Sequence, residues 1–144
     1  MADSYYESTI TLAASAVRNT DGTGTAVETK GRRKRYMVVC EFTNKATDAD
    51  DKMDVYVDVL VGTKWINAIH FTQALGNGTD AQVEYAELCP SGANTTVTVA
   101  TADLASGAVR GDAFGSQMRA RWDFTEGAGG GAGTFTFSVI AYAI

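Results

Sequence analysis

Proline occurs once in the 144 residues, histidine once, cysteine twice and leucine only five times. Two thiols, Cys40 and Cys89, cannot supply a framework of disulfides, so stability has to come from a buried core, for which the length suffices. One histidine and two well-separated cysteines leave a zinc centre short of its ordinary donors. No apolar run approaches the ~18 residues of a membrane-spanning helix, so no membrane partner is expected. The start, Met1-Ala2-Asp3-Ser4-Tyr5-Tyr6-Glu7, has neither a basic region nor an apolar stretch. No signal peptide is therefore expected, and the thiols are expected to stay reduced in a cytoplasm. The shortage of leucine also bears on fold. Helices draw on leucine, whereas strands draw on threonine and valine, and here there are 18 Thr and 13 Val.

The net charge of −5 is unevenly spread. Lys30, Arg32, Arg33, Lys34 and Arg35 hold five of the twelve basic residues with no acid between them, leaving seven basic and seventeen acidic residues, a balance of −10, for the rest. An acidic body with one basic knot lacks the broad positive face of a duplex-binding protein, so no specific nucleic-acid partner is expected. The knot suits an acidic protein surface or phosphate groups, because adjacent cations repel one another unless paired. It would equally guard the apolar residues 36–40 that follow from edge-to-edge aggregation.

Strand-like segments recur at residues 8–14, 35–43, 53–61, 64–72, 82–88, 95–101, 117–125 and 134–142, with 25–29 as a ninth candidate. The connectors are rich in Gly, Asn, Asp and Thr, and no amphipathic helix is evident, although residues 102–114 leave room for one helical turn. The expected fold is a single all-β domain over residues 1–144. It is read as an antiparallel β-sandwich, jelly-roll-like, of about eight strands, with a short N-terminal arm at about residues 1–7.

The segment around Gly62-Thr63 is the most informative. A two-residue turn there, with Gly at positive φ, predicts a type II′ hairpin. Regular pairing sets Val61, Val59, Val57 and Val55 against Lys64, Ile66, Ala68 and His70 on one face. The other face then gathers Tyr56, Leu60, Trp65, Ile69 and Phe71 beside Asp54, Asp58 and Asn67. So much apolar bulk on a second face implies a cover, either a loop of the same chain or another subunit, and those five residues are the expected oligomer or docking face. Ile140, Tyr142 and Ile144 add apolar bulk to the second face of the last strand in the same way.

Candidate chemistry is sparse. His70 lies inside a strand without a sequence signature for a nucleophile or an orienting partner, so a structural role is expected and no catalytic residue is assigned. Cys40, within Tyr36-Met37-Val38-Val39-Cys40, reads as a small buried hydrophobe. The run Asp48-Ala49-Asp50-Asp51-Lys52-Met53-Asp54 has the hard oxygens calcium prefers, but lacks the Gly at position six and the Glu at position twelve of an EF-hand. It reads as a solvated turn before the strand at Met53. The tract Glu126-Gly127-Ala128-Gly129-Gly130-Gly131-Ala132-Gly133 reads as a flexible spacer, because a phosphate-cradling loop needs a helix after it and a strand follows here. No metal and no cofactor are expected. Arg119 and Arg121 alternate with Met118, Ala120 and Trp122, which sets both on one face of a strand, ready to pair with carboxylates or pack by their stems.

Four stretches carry a family resemblance: Met53-Asp54-Val55-Tyr56-Val57-Asp58, Lys64-Trp65-Ile66-Asn67-Ala68-Ile69-His70-Phe71-Thr72-Gln73, then Gln117-Met118-Arg119-Ala120-Arg121-Trp122, then Phe135-Thr136-Phe137-Ser138-Val139. In these the chain resembles small tailed-bacteriophage virion proteins, most of all those that decorate or cement the head. The resemblance implies a β-sandwich without a catalytic step, synthesised in the host cytoplasm and located in the virion. Its implied partners are the major capsid protein and copies of itself, as a homotrimer. It also points to Tyr5 and Tyr6 of the arm, and Arg32, Arg33, Lys34 and Arg35 of the knot, as the residues that touch the shell. Two alternatives remain at this level. One is a tail-tube or head–tail connector subunit, with residues 53–72 as its hairpin. The other is a carbohydrate-binding module using an exposed aromatic platform such as Trp65 and Tyr56.

Overall fold

The computed structural model describes residues 8–29, 35–77, 81–89, 102–129 and 133–143. Among them there is no helix. Eleven strands follow one another: β1 (Ser8–Arg18), β2 (Gly22–Thr23), β3 (Val27–Glu28), β4 (Tyr36–Asn44), β5 (Lys52–Val61), β6 (Lys64–His70), β7 (Ala74–Leu75), β8 (Gln82–Leu88), β9 (Ala108–Val109), β10 (Gln117–Thr125) and β11 (Phe135–Ala143). The expected strand at 25–29 is reduced to the two residues of β3, and residues 102–114 hold turns and β9 in place of a helical turn. The expected strand at 95–101 lies outside the described residues.

Two antiparallel sheets pack face to face. One has the order β1-β11-β4-β8; the other runs β2-β10-β5-β6-β9, with β3 also on β10 and β7 also on β5. Strict alternation makes β11 a wall of the core. Phe135, Phe137, Val139, Ala141 and Ala143 are fully buried, while Thr136, Ser138, Ile140 and Tyr142 between them are only partly covered. Tyr36, Val38, Cys40 and Phe42 of β4 do the same beside it, facing Met53, Val55, Val57 and Val59 of β5 and Met118 and Ala120 of β10. Cys40 is a buried free thiol, and burial pushes its pKa up, as befits a small apolar filler.

The β5–β6 hairpin turns where expected. Gly62 has φ +61°, and Thr63 is not among the described residues with positive φ, which fits type II′ rather than I′. Its first four pairs, Val61 with Lys64, Leu60 with Trp65, Val59 with Ile66 and Asp58 with Asn67, are the expected ones. Beyond them the register slips by one, because Ala68 is an extra residue and Val57 pairs with Ile69 and Tyr56 with His70. The slip corrects the expected face of every later residue. Ile69, 1% exposed, and Phe71, 3% exposed, point into the core, not onto the outer face with Tyr56. His70, expected opposite Val55, goes to the outer face instead. The cause is distant in sequence: Arg110 donates its backbone N–H to Ala68 O at 2.7 Å and its guanidinium to Asn67 O at 3.1 Å, satisfying carbonyls that a bulge takes out of the ladder.

Candidate functional site

The outer face of the larger sheet is organised around Asp58. This carboxylate is 3% exposed, and it accepts hydrogen bonds from Arg119 Nε at 3.3 Å, Arg121 Nε at 3.2 Å and Asn67 Nδ2 at 3.1 Å. Arg119 and Arg121 project to the same side of β10, as their spacing predicts, and Asp58 stands directly opposite Arg119 in the ladder. Each guanidinium also covers a ring: Arg119 lies 4.1 Å over Trp65, and Arg121 lies 4.1 Å over Tyr56. Tyr56 in turn stacks on His70, centroid to centroid 4.2 Å. Burial works against the Arg121 charge, but hydrogen bonds to Asp58 and Asp103 outweigh it and hold the pKa above its usual value.

His70 makes the second anchor. One ring nitrogen, Nε2, is 2.8 Å from Asp54 Oδ1, whose other oxygen accepts from Gln73 Nε2 at 2.8 Å. The other, Nδ1, is 2.7 Å from the Leu104 carbonyl. A carbonyl only accepts, so Nδ1 donates to Leu104 O, and Nε2 is held against the Asp54 carboxylate. With both nitrogens occupied, the ring as placed binds a loop and offers no free lone pair to a substrate.

That loop is the cover the sequence asked for. Leu104 N–H donates to Asn67 Oδ1 at 2.9 Å, Gly107 N–H to His70 O at 2.9 Å, and Arg121 Nη2 to Asp103 Oδ1 at 2.6 Å. Tyr56 is therefore 7% exposed, and Leu60 and Trp65 are half-buried. Of the five residues expected on this face, Tyr56, Leu60 and Trp65 are brought together, and Ile69 and Phe71 are not.

Burial, reinforced by Asp54, Asp123 and Asp103, pushes the Tyr56 phenol from its ordinary value up to about 12. The unfolded chain ionises this group near pH 10, so the neutral ring stabilises the fold fully below pH 10, and that contribution is lost as pH rises towards 12. We expect Tyr56→Phe to remove one equivalent from the late-titrating tyrosines in an absorbance titration and to flatten the loss of stability between those two values.

Of the outer side of the smaller sheet, sequence reasoning found Ile140 and Tyr142 on the last strand but missed their neighbours on β4 and β8. Across its four strands Thr11, Ile140, Val39 and Tyr85 form one transverse row, and Thr9, Tyr142, Met37 and Glu87 form the next. Val83 stands beside them opposite Glu41. Tyr85 is 73% exposed and Val83 60%. The signal lay in Gln82-Val83-Glu84-Tyr85-Ala86-Glu87-Leu88, whose alternation puts either face inward until the pairing with β4 decides it. Beside this row a groove of about 480 Å³ opens between β8 and the edge of the larger sheet, lined by Phe71, Thr72, Glu84, Ala86, Ala108 and Val109 among others.

Tyr5, Tyr6, Arg32, Arg33 and Lys34 lie outside the described residues. Arg35 leads into β4, with Nε 3.5 Å from Glu87 Oε1 at the border of that face. Among the described residues no three of His, Cys, Asp and Glu converge as metal ligands. Comparison with protein-family models, curated proteins and solved structures finds no match to this chain.

Proposed function

We propose that this chain is a non-enzymatic structural subunit that works by docking, and that it decorates a tailed-phage head by binding copies of itself and the major capsid protein. The family resemblance supplies the head and the capsid partner. The observation that carries docking is the apolar row Ile140–Val39–Tyr85, flanked by Met37 and Val83, in which Tyr85 and Val83 are exposed and the other three half-buried, on a sheet whose other side is already committed to the core. A patch of this kind on a rigid sheet is a ready contact surface, and buried apolar area repeated over many subunits adds up to a strong shell from weak single contacts. Tyr85, on the edge strand at the end of the row, supplies large contact area at low entropic cost.

Light scattering coupled to size exclusion tests the reading. The wild type is expected to run with the mass of a homotrimer and to co-sediment with heads assembled from major capsid protein. Tyr85→Lys is expected to run as a monomer and to lose the heads, with its circular dichroism unchanged. A wild type that is monomeric and stays in the supernatant overturns the proposal. Rings or filaments would move the chain to a tail tube, and retention by sugars in affinity electrophoresis to a carbohydrate-binding module.

A further inference from the structure

Two stretches that read as filler in the sequence meet in the fold: the acidic run 48–54 and, of the glycine tract, residues 126–129 and Gly133. Gly127 N–H donates to Asp51 Oδ1 at 2.8 Å, across 76 residues of chain. A Cβ placed on Gly127 would stand 2.3 Å from Asp50 Cβ, one on Gly129 2.0 Å from Asp48 Oδ2, and one on Gly133 1.9 Å from Asp51 Oδ2. None of the three has positive φ, so glycine is needed there for space alone: the loop lies directly against the carboxylates.

Asp51 corrects the expectation of a solvated turn. It is 0% exposed, and its backbone carbonyl accepts from Gly76 N–H at 2.8 Å. Its second carboxylate oxygen, Oδ2, is buried against Gly133 and has no hydrogen-bond partner. A buried carboxylate with one oxygen unanswered is unfavourable by itself and calls for a donor or a cation. The neighbouring Asp48 uses Oδ1 to accept Asp50 N–H at 3.0 Å and turns Oδ2 to the same glycine loop.

We propose that Asp51 and Asp48, with backbone carbonyls of the described residues of the two segments, bind a divalent cation of the calcium type. No imidazole, thiol or third carboxylate joins them among the described residues, so the remaining positions fall to carbonyls and water. Calcium accepts that mixture in a loose shell of about 6–8 oxygens, whereas zinc favours nitrogen and sulfur. The EF-hand spacing is missing because the ligands come from two distant segments. The bound cation ties the turn between β4 and β5 to the loop between β10 and β11, and so joins the two sheets at one end of the sandwich.

The full-length protein, stripped with EDTA and dialysed, is to be titrated with calcium chloride in a calorimeter and by thermal unfolding. One saturable site and a higher Tm are expected, with magnesium giving much less of either. Asp48→Asn is expected to lose about tenfold or more in affinity, Asp51→Asn to lose the site, and the exposed Glu41→Gln to bind as the wild type does. Should Asp51→Asn fail to fold, the wild type and Asp48→Asn decide the matter. A wild type without saturable heat at millimolar calcium overturns the proposal, as does an Asp48→Asn variant that binds as tightly as the wild type, or an equal response to magnesium.

Discussion

Asp58→Ala is expected to cost about 3 kcal/mol of folding stability, the lower end for removing one partner of a buried ion pair. The lower end applies because the guanidinium side chains it leaves behind, though charged, are 26% and 21% exposed and turn partly to water, while Asp58 itself is buried. The loss has three parts. Arg119 and Arg121 lose a shared acceptor, Asn67 Nδ2 loses one of its acceptors, and the rows Trp65–Arg119 and Arg121–Tyr56 lose the charge that holds both cations over their rings. Urea unfolding of the two proteins checks this, and the midpoint temperature should fall by roughly 10 °C. Asp103→Ala is the control. Asp103 reaches the same Arg121 but is 47% exposed, and an exposed pair of that kind is worth about 0–1 kcal/mol. If the two variants were destabilised alike and slightly, Asp58 would be an ordinary surface ion pair and the outer face would not be braced from its centre.

The residues that could and could not be placed beforehand differ in one respect, the range of the cause. Strands β4, β8, β10 and β11 were legible because period-two alternation is local, and the hairpin turn was legible because Gly62 answers a local demand for positive φ. Arg119 and Arg121 were legible as a pair for the same reason. Ile69, Phe71 and His70 were not, because the bulge at Ala68 is held by Arg110, and no local pattern around residue 68 announces a donor 43 residues further on from Asn67. The exposure of Tyr85 was hidden differently. Its strand was plain, but alternation leaves the choice of face open, and the pairing of β8 with β4 makes it. Asp51 was hidden most completely, since an acidic turn and a glycine tract are each unremarkable until the chain brings them together.

Phe137→Ala is expected to cost about 3–5 kcal/mol, the range for emptying a buried aromatic site. The ring is fully buried at the joint of four strands: its centroid lies 5.1 Å from Phe42 on β4 and 5.7 Å from Trp122 on β10, and the Arg18 guanidinium from β1 sits 4.2 Å above it. Arg18 is the more consequential neighbour. Burial lowers its pKa, yet it remains the donor that satisfies Ala14 O and Phe137 O at 2.6 Å each and Ala16 O at 3.0 Å, where β1 departs from regular register. Its charge is tolerated there because the faces of Trp122 and Phe137 enclose it. Removing the Phe137 ring therefore opens a cavity and takes one face from a half-buried cation at the same time. Phe137→Leu separates the two effects. Leucine refills part of the volume without restoring a π face, so the stability it fails to recover measures the aromatic contacts, expected at about 1–1.5 kcal/mol. Full recovery by leucine would mean that Phe137 acts as volume alone and that Arg18 is held by the three carbonyls without help from the rings.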